Sequence, residues 1–523
     1  MRYFLLAVSL FFFTGDVSAQ FYSKAIWQKC LGGTDQDIGY SIIQARDGGF
    51  VMAGWTMSKD GDVTGIHDTQ WGDGWIVKLS ASGNLEWEKC LGGTYRDVFN
   101  SVVQTSDGGF VAAGYTESND GDVTGNHGYN NPDAWVVKLD SAGKLLWQKC
   151  FGTKAYEKAN SIVETADGGF ILAGSTDSIS THGAGGDVFV AKLNSNGDLE
   201  WQKIYGGNDV DVAVSILQTY DGGYVFAGTT ASSNGDVKGL HNPGLGFNDI
   251  WVVKINSTGT IIWQKCLGGS RSDKAGGIIQ TSDSGLVVCG TVESKDGDVS
   301  GKNEFGVTDG WVAKLSASGD IIWKKCIGGN GDDVLNAIIR TNDGGFAVGG
   351  ETNTNDDPVA LGNDGIADFW TVKLDPQGNV QWGRCFGSPE GDEALAIIQT
   401  TDGALLEAGY TESNGDYVKG FHGPSSSDAW VIKYTESSGV HSVAPEIEPT
   451  LFPNPANNII NLDAVPATVT EVNVINVMGE TVMKLHKPDS PGFSLDLSKL
   501  NPGTYYIRFS SPNSVVTKKI VKN

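Results

Sequence analysis

A tryptophan followed two residues later by a basic side chain returns at Trp27, Trp87, Trp147, Trp201, Trp263, Trp323 and Trp382. The gaps between them are 60, 60, 54, 62, 60 and 59 residues. A repeat of this length restricts the chain to an architecture of stacked, similar units, because one such unit cannot bury its own apolar surface. The second block shows the internal order. Ser101 to Thr105 reads as a short strand, and Asp107-Gly108-Gly109 as a tight hairpin turn, since glycine accepts the positive φ that such turns need. Phe110 to Tyr115 is a second strand, Asp133 to Leu139 a third and Leu145 to Cys150 a fourth. A long polar loop joins the second strand to the third.

Four short antiparallel strands per block is the pattern of a propeller blade. The Asp-Gly turn or its variant falls at Asp47, Asp107, Asp167, Asp221, Asp283, Asp343 and Asp402, which predicts seven blades over residues 20–434. The seventh block ends at Trp430–Tyr434 without a fourth strand, while Ala25–Cys30 precedes the first block as a spare one. The N-terminal strand is therefore expected to complete the last blade and remove an exposed sheet edge. The 72 glycines suit the many tight turns of such a fold.

Residues present in every block are read as structural, because a ligand site requires the blades to differ. Cys30, Cys90, Cys150, Cys266, Cys326 and Cys385 share one repeat position, filled by Ile204 in the remaining block, and Cys289 replaces a recurrent alanine. Equivalent positions on neighbouring outer strands lie beyond the roughly 7 Å Cα reach of a disulfide, so all seven are expected as free, apolar thiols. Lysines recur on the third strand, from Lys78 to Lys433, and acids recur before the first and third strands, beginning with Asp37 and Asp73. Paired stems and heads between blades is the expected arrangement.

The long loops after the second strands form the expected binding face. They carry Asp60-Gly61-Asp62, Asp120-Gly121-Asp122, Asn234-Gly235-Asp236 and Asp296-Gly297-Asp298. Alternating oxygens around glycine can wrap Ca2+, and the same run is ordinary turn chemistry; both readings stand at this point. The same loops hold the candidate ligand-binding residues His67, Trp71, His127, Tyr129, His241, Phe247, Phe305, Phe421 and His422, whose rings suit sugars or protein hot spots.

Charge narrows the partners. With 37 basic and 62 acidic residues the net charge is −25, a field that repels phosphate backbones and excludes nucleic acid. Enzyme signatures are thin. A carboxylate grip of sialidase type needs clustered arginines, and only Arg96 and Arg271 lie on the candidate face. The sequence contains no nucleophile elbow, zinc helix or phosphate loop. A carboxylate pair for glycoside chemistry stays open among so many acids. Three functions follow in order: a surface module binding glycan or protein, a secreted polysaccharide hydrolase or lyase, and a structural surface-layer component.

Both ends point to export. Arg2, the apolar run Tyr3–Phe13 and Val17-Ser18-Ala19 read as a signal peptide over residues 1–19. No other run is apolar for long enough to form a transmembrane helix. The repeat stops after Tyr434, residues 435–450 read as a linker, and a small β domain follows with seven Lys/Arg against five Asp/Glu over 451–523. Its motifs are Leu451-Phe452-Pro453-Asn454-Pro455, Val472–Gly479, Leu495-Asp496-Leu497-Ser498 and Leu500–Ile507, the last including Pro502, Gly503, Thr504 and Tyr505. In that order they resemble the C-terminal sorting domain of the type IX secretion system of Gram-negative bacteria. The resemblance implies an immunoglobulin-like β-sandwich, engagement of the secretion machinery, and release or attachment at the cell surface. The blocks resemble propeller repeats found beside such tails, a likeness that implies no activity.

Overall fold

The computed structural model describes residues 25–68, 70–128, 131–177, 185–302, 307–355, 359–360, 363, 365–415, 417–423, 426–435, 450–452, 454–463, 471–476, 481–486, 493–511 and 514–523. The signal peptide and almost all of the linker fall outside these residues. The chain divides into two units, Met1–Ser438 and Gly439–Asn523.

In the first unit the described residues form seven four-stranded antiparallel sheets. Blade 1 comprises Asp37–Gln44, Phe50–Thr56, Asp73–Leu79 and Leu85–Leu91, from the inner strand outward. Blades 2 to 6 begin at Asp97, Glu157, Asp211, Asp273 and Asp333 and repeat the same order. Blade 7 takes Asp392–Gln399, Leu405–Thr411 and Asp428–Tyr434 from the end of the repeat and Trp27–Leu31 from its beginning. Trp27 pairs with Lys433 and Leu31 with Ala429, antiparallel. The expected latch is present, and the Thr401 N–H donates to Gln44 Oε1 across the join between blades 7 and 1. This unit is an all-β propeller.

Apolar clusters lie between blades. One joins Met52 and Trp75 of blade 1 to Leu406 and Val431 of blade 7; the next joins Val51 and Ile76 to Phe110 and Trp135 of blade 2. Second and third strands of blades 1 and 2 are buried throughout, because each face meets a neighbouring blade. Each inner strand carries a bulge, at Tyr40 in blade 1 and Asn100 in blade 2, which adds local twist.

The recurring lysines find acids as expected, but within their own blade and at the hairpin turn rather than in the two acid rings that flank the strands. All seven third-strand lysines meet the turn acid of their own blade, as in Lys78–Asp47 at 2.9 Å and Lys373–Asp343 at 2.7 Å. All seven cysteines are free; Cys150 and Cys326 are half-buried and the others buried. One expectation needs correction. The acids placed before the first and third strands are the first residues of those strands, since Asp37 pairs with Thr56 and Thr56 with Asp73 across the sheet. Asp37 accepts hydrogen bonds from Thr56 Oγ1, from Ser58 Oγ at 2.7 Å and from the Gly33 N–H at 2.8 Å. Gly206 shows why glycine precedes such pairs: a Cβ there would lie 2.2 Å from Asp187 Oδ1 and 2.5 Å from Asp211 Oδ2.

The second unit has two sheets. One orders Thr450–Phe452, Ile459–Asp463 and Phe493–Asp496; the other orders Thr481–His486, Glu471–Asn476, Gly503–Ser511 and Ser514–Lys522. They share a core of Ile460, Leu462 and Leu495 with Val472, Val474, Ile507 and Ile520. Asn454 ties the motif to the last strand, its Oδ1 accepting from the Val521 N–H and its Nδ2 donating to Lys519 O, each at 2.9 Å. Tyr505 Oη donates to Asn501 O. Pro453 and Gly479 lie outside the described residues, and Phe452 is exposed.

Candidate functional site

The loop histidines occupy one repeated setting. His67, His127, His241 and His422 each place Nδ1 2.6–2.7 Å from the acid that opens the third strand: Asp73, Asp133, Asp249 and Asp428. Their backbone N–H groups donate to the same oxygens. His67 Nε2 lies 3.6 Å from Asp122 of blade 2, and His241 Nε2 3.5 Å from Asp298 of blade 5. Burial opposes charge on His67, but Asp73, Asp122 and Asp97 outweigh it and raise its pKa. His67 and His241 thus link neighbouring blades, and all four rings brace the third strand of their own blade.

The Asp-Gly-Asp loops are built the same way. Asp60 Oδ1 accepts the Thr34 N–H and Asp120 Oδ1 the Thr94 N–H, each at 2.8 Å. Asp296 accepts the Ser270 N–H, and Asp236 Oδ2 lies 3.4 Å from the Gly206 nitrogen. The valine that follows, Val63 or Val123, is buried in the interblade core. These carboxylates are engaged by protein amides, and among the described residues no three His, Cys, Asp or Glu gather to hold a metal. Asp62 and His422 do come together, in an open groove of about 400 Å3 at the latch seam, beside Lys29, Asn84 and Lys419.

Of the loop aromatics, Trp71 is 44% exposed, Phe247 is half-buried and Phe421 packs on the blade 7 core. Tyr129 and Phe305 lie outside the described residues.

The blades differ most at the end where inner strands begin and second strands finish. The second strand closes on Gly-x-Thr, or Gly-x-Val in blade 5, and x is Trp55, Tyr115, Ser175, Thr229, Thr291, Glu351 and Tyr410 in turn. The second residue of the inner strand is Ile38, Val98, Lys158, Val212, Lys274, Val334 and Glu393. Side chains of these two positions meet across blade boundaries. Trp55 packs on Val98 and Tyr115. Lys158 Nζ sits 4.0 Å from the Tyr115 ring centroid and 4.9 Å from that of Tyr156, and the Arg96 guanidinium lies 4.5 Å from the Trp55 ring.

These two positions of each blade, with the loop residues beside them, form a collar at this end of the ring, over which charge is unevenly spread. Glu393 accepts hydrogen bonds from Asn336 Nδ2 at 3.0 Å and from Tyr410 Oη at 2.9 Å. Burial raises the Glu351 carboxyl to about 7, with Glu393 and Asp332 adding repulsion. Glu351 and Glu393 thus stand on blades 6 and 7, and Arg96 and Lys158 lie on aromatic faces at blades 2 and 3, where Glu117 and Asp177 are near Lys158. Tyr95 and Tyr156 stand beside those cations, 40% and 37% exposed. Sequence reasoning singled out Arg96 alone of this set. The signal was the variable x inside an otherwise constant Gly-x-Thr.

Comparison with known proteins addresses the tail directly. Residues 450–523 match the family described as Secretion system C-terminal sorting domain. This unit is a type IX secretion sorting domain. The sorting domain marks the chain for export and for a secreted or cell-surface location, and implies engagement of the secretion machinery. Over 279 residues the chain is 24% identical to "Regulatory protein FlaEY" of Caulobacter vibrioides, a match covering 51% of this chain and 28% of that protein. The chain thus spans less than a third of that relative's length. Similar solved structures include the extracellular domain of a hybrid two-component system from B. thetaiotaomicron, at TM-score 0.39 and 11% identity over 93% of this chain and 56% of that one. Sqt1 from Chaetomium thermophilum gives 0.42 and 11% over 79% and 99%. BamB from Moraxella catarrhalis gives 0.32 and 13% over 94% and 100%.

Proposed function

We propose that this protein is a propeller-based binding module for glycan or protein, displayed at or released from the bacterial surface, with its site at the polarised collar. The observation that carries this reading is the run of unlike, ligand-capable side chains, aromatic, cationic and acidic, at aligned strand positions of one end of the ring. Repetition satisfies the fold; the departures from it need another reason, and exposed aromatics beside charge suit recognition. Trp71 belongs to the same rim, because its carbonyl accepts the Trp55 indole N–H at 3.1 Å. In this reading residues 1–19 are removed on export, residues 435–450 act as a tether, and the tail adopts an immunoglobulin-like sandwich. The sorting-domain match supports the location. A glycan array probed with the full secreted chain, with and without Ca2+, tests it. Binding to a defined glycan class supports it; the absence of binding to any glycan or outer-membrane protein would remove it.

A second reading, a secreted polysaccharide hydrolase, is favoured by Glu351 and Glu393. A carboxyl held protonated near neutral pH beside a second, hydrogen-bonded carboxylate is the asymmetry that glycoside cleavage uses. Reducing ends released from a polysaccharide by the wild type but not by Glu351→Gln or Glu393→Gln would establish it.

A further inference from the structure

Arg96 and Lys158 differ from the third-strand lysines. The third-strand lysines all meet carboxylates. Among the described residues, Arg96 and Lys158 form no ion pair and instead lie against aromatic faces. Arg96 Nε is buried without a hydrogen-bond partner. The two cations belong to adjacent blades and feel each other: burial, then repulsion from Arg96, lowers the Lys158 pKa despite the pull of Glu117 and Asp177. Two like charges held together on a half-buried, hydrophobic floor are an unfavourable arrangement that an anion would relieve.

We propose that Arg96 and Lys158 form a subsite for an anionic group, a carboxylate or sulfate, carried on a sugar ring. Trp55 packs on Tyr115, so the guanidinium on the first ring and the ammonium on the second are both available as donors to one such group. Tyr95 and Tyr156 supply exposed rings beside it for a saccharide face. The inference rests on the collar as the binding site and specifies its ligand as an acidic polysaccharide.

Calorimetric titration of the full chain tests it, with polygalacturonate carrying only carboxylates, dextran sulfate carrying only sulfates, and unsubstituted dextran. The wild type should bind one or both charged polymers, more weakly at high salt, and dextran much less. Because each lost cation removes a charge-assisted hydrogen bond, Arg96→Gln with Lys158→Gln should weaken binding by about tenfold or more. Lys274→Gln is the control; this exposed lysine holds the Lys158 position in blade 5 and its loss should leave affinity unchanged. Lys158→Arg keeps the charge and should keep binding, which separates charge from folding damage. Dextran bound as tightly as polygalacturonate would overturn the anion subsite while leaving the collar as a binding site. Unchanged affinity in the double variant would also overturn it. Failure of the wild type to bind any of the three, or any arrayed glycan or surface protein, would overturn the subsite and the binding reading together.

Discussion

The two ends of the propeller are made from the same fourteen inner and second strands yet carry different information. At the hairpin end, the residues that bond to neighbouring backbone recur from blade to blade, while the exposed turn residue between them varies from Arg46 to Tyr220. A Thr-x-Asp-Gly turn or close variant pairs with a lysine from the third strand, and the last side chain of the inner strand reaches the preceding blade's turn. Gln104 Oε1 accepts the Arg46 N–H at 2.9 Å, Glu164 the Ser106 N–H and Gln218 the Ala166 N–H. At the collar end, aligned positions hold tryptophan, tyrosine, serine, threonine or glutamate. The contrast teaches where selection for the fold stops. Hydrogen bonds that close a ring must be made at every joint, so those residues recur; side chains facing a ligand meet different parts of it, so they diverge.

The sharpest way to break this division is to cut the ring. Removing residues through Leu31 deletes the fourth strand of blade 7 and exposes a sheet edge. The expected outcome is a chain that fails to fold or loses more than about 10 °C in Tm, on the scale of several kcal/mol for a lost strand. An unchanged melting curve would refute the latch. Next in size is the loss of a repeated buried acid. Asp97→Ala leaves the Thr116 and Ser118 hydroxyls and the Gly93 N–H without their acceptor. It should cost about 2–4 kcal/mol in denaturant unfolding, as buried polar groups lose their partners. Tyr95→Ala at the collar should cost about 0.5 kcal/mol or less, since the ring is largely exposed. Equal costs would erase the distinction between residues the blades repeat and residues in which they differ.

The same acids set a pH dependence. Burial raises Asp37, Asp97 and Asp392 to about 7, and Asp211, Asp273 and Asp333 to about 6. Between their unfolded values near 4 and these folded values, the native state holds more protons than the unfolded chain. Their contribution is present at pH 4 and is lost as pH rises through 6 to 7. His67, raised as well, loses its contribution in the same direction. The turn acids act oppositely: Asp167, Asp343 and Asp402 are lowered to about 2, so their contribution fades only below pH 4. Tm should therefore fall between pH 5 and pH 8, and Asp97→Asn should flatten that slope. A Tm that rises over this range would contradict the assignment.

The smallest effect concerns a gap in the hairpin belt. Arg340 stands where six blades have glutamine or glutamate. Restoring the acceptor with Arg340→Gln should let it take the Ser282 N–H and add about 1 kcal/mol, the net worth of one hydrogen bond.

Much of this was legible in the chain. Spacing of the seven tryptophans revealed the blade count, and the spare strand at Trp27 revealed the latch. The exchange of cysteine with Ile204 marked the thiols as apolar. The recurring lysines and acids announced their pairing. What the sequence concealed is contact across blade boundaries. Conspicuous rings such as His67 and His241 drew attention as ligand contacts, whereas they bridge to the aspartates of their own and the next blade. Trp55 and Glu351 lie in short strands between a constant glycine and threonine, and Lys158 directly after the acid that opens its inner strand. Their importance emerges only once position x of one blade is known to meet the inner strand of the next.

Two exposed surfaces allow the central claim to be tested in one experiment. Tyr95 and Tyr156 lie at the collar, and Tyr220, 67% exposed, lies in a hairpin turn at the other end. On a glycan array probed in parallel, the account predicts binding by the wild type and by Tyr220→Ala, and loss of that signal in Tyr95→Ala with Tyr156→Ala at unchanged Tm. Binding that survives the collar substitutions and disappears with Tyr220→Ala would contradict it.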